Sequence, residues 1–311
     1  MSSPLDAQPP VAPPAGHPER VQVLDYVLTS GARRIGARLC YPAGYPAAGA
    51  APLPWLIYLH AGGFVDCSQQ SSECLAMDLA ARVPAVVVVP AYSLAPDHPF
   101  PAAPEDAFST VAWVLAHARR LKVDKQRFAL VGEEAGGNLA IALAQMMRDR
   151  GLPQARGQWL IRPLTDPCLQ HASCAGGADG PSVPLEMLRR IAGHYRDYLP
   201  TAAASVHPYA APAHASRLAG LPATLIQVAE QDALRAEGEA FGERLRGAGV
   251  PAQTMIMPGA CGDGVEETHE DCEMWVDEGA RFLRQCLAGS DDASKQTERR
   301  PPGRRAAGPA G

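Results

Sequence analysis

Apolar residues along this chain follow two rhythms. Segments 53–59 and 85–89 are apolar almost without interruption, the pattern of short strands buried on both faces. Segment 104–118 instead places Phe108, Val111, Val114 and Leu115 three and four residues apart, which predicts one face of a helix. Read this way, the chain has strands at 21–28, 35–41, 53–59, 85–89, 128–131, 159–161, 224–228 and 253–257. Helices fall at 104–118, 135–148, 236–247 and 273–287. Short buried strands alternating with helices predict an α/β fold, a mostly parallel central sheet covered on both faces. Ligands of such sheets bind at the carboxyl ends of the strands, so candidate chemistry is sought there.

Composition narrows the function. Apolar residues make up 47% and charged residues 20% of 311, enough to build a large core. The net charge of -5 gives no electrostatic case for nucleic acid or an anionic membrane. The run Ala85-Val86-Val87-Val88-Val89 is too short to span a bilayer. Residues 1–20 hold six prolines and lack the basic-then-apolar order of a signal peptide. A soluble cytoplasmic protein is expected, acting on a carbonyl-containing small molecule, with a homodimer as a possible assembly. Residues 1–20 are expected to be a flexible arm, 21–288 the folded domain with an insert at about 168–215, and 289–311 a disordered tail. The eight cysteines show no regular spacing, and most are expected to be small core hydrophobes. Between Cys261 and Cys272 lie Asp263, Glu266, Glu267, His269 and Asp271. Their spacing matches no tight zinc motif, so neither a metal nor an organic cofactor is expected.

Three segments carry specific information. Tyr58-Leu59-His60-Ala61-Gly62-Gly63-Phe64 runs a strand into adjacent glycines, whose N–H groups can turn toward one point as in an oxyanion hole. Tyr92 to Asp106 is a proline-rich turn leading into a helix. Val131-Gly132-Glu133-Glu134-Ala135-Gly136-Gly137-Asn138 has the layout of a nucleophile elbow, a sharp strand-to-helix turn with small flanking residues that thrusts one side chain upward.

Together these motifs resemble the hormone-sensitive-lipase-like, bacterial carboxylesterase branch of the α/β-hydrolase family, over about residues 21–288. Further matches are Leu160 to Asp166 and Gln231 to Phe241. The resemblance implies an α/β-hydrolase fold with a reduced N-terminal cap, an oxyanion hole at Gly62, Gly63 and Ala135, and a catalytic acid at Asp232. It also implies a serine at the elbow and a histidine after the last strand. Here the serine's position holds Glu134, and Gly262 or Asp263 stands where the histidine is expected, with Cys261 beside it. His269 lies further on. In the family His60 orients the oxyanion loop, and Glu133 is read as a structural hydrogen-bond acceptor. Cys67 is expected to be a buried thiol, and Met187, Tyr195 and Tyr198 to form pocket wall.

Serine catalysis needs a base to take the hydroxyl proton. With serine and histidine both missing, hydrolysis by that route is not expected. The expectation is an acid/base enzyme on a carbonyl compound, a lyase, isomerase or cyclase. Glu134 would transfer the proton, and Asp232 and Asp263 would set its charge state. Two alternatives stand beside it. Glu134 could fill the oxyanion hole itself in an inactive, ligand-binding homologue, or it could act as a carboxylate nucleophile.

Overall fold

Eight strands form one sheet in the order β1-β2-β4-β3-β5-β6-β7-β8. They are β1 (Gln22–Ser30), β2 (Arg33–Tyr41), β3 (Leu53–Leu59), β4 (Val86–Pro90), β5 (Val123–Glu133), β6 (Gly157–Ile161), β7 (Ala223–Ala229) and β8 (Ala252–Met257). β1 pairs antiparallel with β2, and β2 with β4. From β4 to β8 every pairing is parallel. The computed structural model describes residues 21–30, 33–45, 49–67, 69–170, 185–258 and 269–288. The arm 1–20, the tail 289–311, Cys261 and Asp263 lie outside the described residues.

The described residues hold six α-helices: α1 (Gln69–Arg82), α2 (Ala102–Leu121), α3 (Ala135–Asp149), α4 (Leu185–Tyr198), α5 (Arg235–Gly247) and α6 (His269–Leu287). One apolar layer gathers Val111 and Val114 of α2, Leu139, Leu143 and Met147 of α3, and Phe241 and Leu245 of α5. The opposite layer gathers Ala76, Leu79 and Ala80 of α1 and Val83 just after it with Ala280, Leu283 and Leu287 of α6. Alternate residues of the strands feed the two layers: Trp55, Ile57 and Leu59 of β3 enter the first, Leu56 and Tyr58 the second. α3 is apolar on nearly every side and buried from Ala135 through Met147, as the helix following a central strand must be. Among the described residues no helix is long and apolar enough to cross a membrane.

The eight expected strands are all present. Two helices were not read from the pattern. In α1 the described buried residues are confined to its second half, Ala76, Met77, Leu79 and Ala80, behind a polar first turn, so the apolar stripe is short. α4 lies in the expected insert. β5 begins five residues earlier than expected, at buried Val123, which pairs with Leu53; the polar stretch Asp124 to Arg127 that follows interrupts the apolar run and hides that start. The cysteines also depart from expectation. Of those described, Cys40 is buried, Cys74 and Cys286 are half-buried, and Cys67 and Cys168 are exposed; all are free thiols. Cys67 and Cys168 stand in loops beyond strand ends rather than on strands or helices, which is why they escape the core.

Candidate active site

Glu134 alone makes the turn between β5 and α3, with φ 52° and ψ -109°. A positive φ at a residue bearing a Cβ costs of order 1–3 kcal/mol and persists only where the surroundings enforce it. The surroundings here are backbone. Glu134 N–H donates to the Ile161 carbonyl (2.8 Å), and its own carbonyl accepts from Leu164 N–H (3.1 Å) and Asn138 N–H (3.2 Å). The flanking glycines allow the close approach. A Cβ on Gly132 would stand 2.2 Å from the Gly136 carbonyl oxygen, and one on Gly136 would stand 1.9 Å from that of Leu59. The elbow layout read from the sequence is thus the geometry found.

The adjacent glycines adopt φ 127° at Gly62 and φ 58° at Gly63. Val65 and Asp66 N–H both donate to the Gly62 carbonyl and close the turn. In that conformation Gly62 N–H (2.9 Å) and Gly63 N–H (3.0 Å) both donate to Oε2 of Glu134. The carboxylate therefore sits where an oxyanion would be held. Three donors were expected; Ala135, the buried first residue of α3, is not among those bonded to this carboxylate.

Behind the turn lies His60, 2% exposed and stacked on Tyr92 with ring centroids 4.1 Å apart. Its Nδ1 lies 2.6 Å from the Ala61 carbonyl, which fits an Nδ1–H donor, and Tyr92 O–H donates to the His60 carbonyl (2.8 Å). Burial pushes the His60 imidazole below its ordinary range, against the opposing pull of the Ala61 carbonyl and Asp66. Glu133 points the other way, accepting from Tyr58 O–H (3.1 Å). A cavity of about 340 Å³ opens beside His60 and Cys67 toward Arg38 and Glu73, but Glu134 does not line it.

Asp232 is engaged elsewhere. Its Oδ2 accepts from Arg162 Nε at 2.5 Å and its Oδ1 from Leu234 N–H at 2.9 Å, with the carboxylate fully enclosed. Arg162 follows β6 in a left-handed conformation (φ 47°), its N–H donating to the Gln227 carbonyl. Asp232, expected to set the charge state of Glu134, is held in this ion pair with Arg162. Asp263 and Cys261, the other residues expected near the elbow, lie outside the described residues.

Three groups of α4 face the site, one of which the sequence reading passed over. Tyr198 stacks on Phe64 (3.9 Å between centroids) and Tyr195 tilts against it (5.5 Å). Among the described residues the buried hydroxyls of both have no hydrogen-bond partner. Burial raises the Tyr195 phenol well above its usual range, and the carboxylates of Glu237, Asp166 and Glu134 add to the rise. The overlooked residue is His194. Its Nδ1 is buried without a partner among the described residues and lies so close that a Cβ on Gly63 would stand 1.8 Å away. A signal existed: 187, 191, 194, 195 and 198 share helical spacing, which puts His194 on the face of Tyr195 and Tyr198. Among the described residues the grouping of metal donors lies at Asp166, Cys168 and His214, not at Glu134.

A family model described as the alpha/beta hydrolase fold matches residues 56–262. Esterase LipI of Mycobacterium tuberculosis is 36% identical over 249 residues, 77% of this chain and 75% of that protein. An ethyl acetate hydrolase of Pseudomonas putida is 33% identical over 229 residues, 71% of each chain. Among solved structures, a thermostable esterase from Pseudomonas putida ECU1011 superposes with a TM-score of 0.77 at 28% identity, covering 88% of this chain and 85% of that one. An esterase from Pyrobaculum calidifontis gives 0.74 at 31% identity, covering 88% of each. The elbow at Glu134, the Gly62–Gly63 turn facing it and these likenesses agree: the chain belongs to the α/β-hydrolase family, in its hormone-sensitive-lipase-like branch, where its relatives are esterases.

Proposed function

We propose that this chain binds a carbonyl-containing small molecule in the esterase pocket and moves a proton with Glu134, without forming an acyl-enzyme on a serine. The observation that supports this most is the seating of Glu134 Oε2 between the N–H groups of Gly62 and Gly63. A substrate carbonyl needs those same donors to stabilise a developing enolate. On entering it displaces the carboxylate, which is left beside the substrate with two fewer donors and takes a proton from an adjacent carbon or hydroxyl. Among the described residues, His194 Nδ1 beside Gly63 and the phenols of Tyr195 and Tyr198 beside Phe64 are buried polar groups without a partner, suited to a ligand's polar atoms.

A second reading is a ligand-binding homologue without turnover. It is favoured by the Arg162–Asp232 pair, which engages Asp232 Oδ2 with a guanidinium rather than with a catalytic base. It is also favoured by the price of displacing Glu134, about 3–6 kcal/mol for two charge-assisted hydrogen bonds.

Proton exchange separates the readings. Wild type and Glu134→Gln are incubated in D₂O with a panel of enolisable esters and ketones, and deuterium uptake is followed by NMR, with p-nitrophenyl acetate and butyrate hydrolysis in parallel. The proposal expects exchange by wild type, none by Glu134→Gln, and retained binding in both. Saturable binding without exchange in either form selects the second reading. Ester hydrolysis by wild type that vanishes in Glu134→Gln overturns both and makes Glu134 a nucleophile or a base toward water.

A further inference from the structure

Beyond the elbow, the loop leaving β6 brings two near neighbours in sequence, Asp166 and Cys168, together with the distant His214. Asp166 and Cys168 follow the strand; His214 ends a short 3-10 turn, Pro212–His214. One ligand atom from each lies within 4.8 Å of the other two. Nε2 of His214 is already 3.2 Å from Oδ1 of Asp166. Two ligands of one tetrahedral zinc, each about 2.0–2.1 Å from the ion, stand roughly 3.3 Å apart, so this pair needs almost no movement. The thiol of Cys168 needs a shift of about 1 Å at most to join them, and its exposed loop permits that.

We propose that Asp166, Cys168 and His214 form a divalent-metal site selective for zinc. The donor set argues for the metal class. A thiolate with an imidazole and a carboxylate suits zinc over the hard cations magnesium and calcium, which take oxygen alone. The carboxylate is preorganised. Asp166 is buried, its Oδ1 accepts from Cys168 N–H (2.9 Å), and its Oδ2 from Gln170 N–H (3.4 Å). Its own N–H is held by Glu237 Oε1 at 2.8 Å, which in turn accepts from the Thr165 hydroxyl. Support of this kind behind a ligand fixes its direction. Among the described residues no fourth donor joins the three, and His214 is 30% accessible, so water can take the fourth position.

The position suggests what the ion does. Residues 166–168 and 214 stand at the two ends of the segment that carries α4, and so His194, Tyr195 and Tyr198. A metal there closes that segment into a loop and holds α4 against the Gly62–Gly63 turn. This inference is independent of the reading of Glu134.

The test uses the full chain, stripped with a chelator and then titrated with zinc chloride against a chromophoric chelator. Cadmium follows as a probe of the thiolate through its charge-transfer absorption. Wild type is expected to bind one equivalent with a cadmium–thiolate band and a raised melting temperature. Cys168→Ser and His214→Ala are expected to lose at least tenfold in affinity, Cys168→Ser also losing the band, whereas Cys67→Ser keeps both. All three substituted positions are exposed, and circular dichroism confirms folding. Absence of stoichiometric binding in wild type, or binding and band unchanged in both Cys168→Ser and His214→Ala, overturns the proposal.

Discussion

Replacing Glu134 with Gln keeps the shape of the side chain and an oxygen to accept the Gly62 and Gly63 N–H groups, but removes the charge. A hydrogen bond to a charged group contributes about 1.5–3 kcal/mol and one between neutral groups about 0.5–1.5, so the two bonds together lose about 2 kcal/mol. An anion at the N-terminus of α3 contributes a further ~0.5 kcal/mol. Glu134 is half-buried, so part of both effects is screened, and a net loss of about 1–2 kcal/mol is expected. At roughly 0.5 kcal/mol/K of unfolding entropy for a chain of this size, the melting temperature falls by about 2–4 °C. The same change is visible at atomic level. The amide protons of Gly62 and Gly63 shift upfield when a neutral acceptor replaces the carboxylate, while amides of β7 do not move. A melting temperature within 1 °C of wild type together with unmoved glycine amides would refute the seating of the carboxylate in the hole, and with it the basis of the proposed chemistry.

Other outcomes follow from the same geometry. Arg162→Met strands the enclosed Asp232 charge and should lower stability by about 3–5 kcal/mol in urea denaturation, with Arg162→Met/Asp232→Leu recovering much of that loss. Gly63→Ala places a methyl group against His194 and an L-residue at φ 58°; in a double-mutant cycle with His194→Ala the two losses should fall well short of additive. His60 is depressed by burial, so its contribution to stability is present above the unfolded histidine value of about 6.5 and is lost as pH falls below it. His60→Asn should therefore show a shallower fall in melting temperature between pH 7 and pH 5 than wild type.

The parts of this protein legible in the sequence are those where neighbours along the chain decide the outcome. Buried runs such as Leu53–Leu59 announce central strands. The glycines around Glu134 announce a turn because Gly132 and Gly136 meet each other only four residues apart. What escaped was set by distance. Nothing near Asp232 signals that Arg162, seventy residues earlier, takes its carboxylate. Gly62 and Gly63 could be read as donors, but their acceptor lies 72 and 71 residues away on another strand end. His194 carried a local signal in its helical spacing, yet its place over Gly63 depends on how α4 docks. The thiols of Cys67 and Cys168 were misread because hydrophobicity alone does not tell a loop beyond a strand end from the strand itself.

The turn at Glu134 is held by its own N–H and carbonyl and by the glycines beside it, while its side chain takes no part in shaping the backbone. Architecture and reactivity are therefore written in different atoms at this position. A single codon change can exchange one functional group for another at the same point in space, with the oxyanion donors still aimed at it and the fold left intact. Such a socket lets a lineage of hydrolases explore other chemistries one side chain at a time, without passing through an unfolded intermediate.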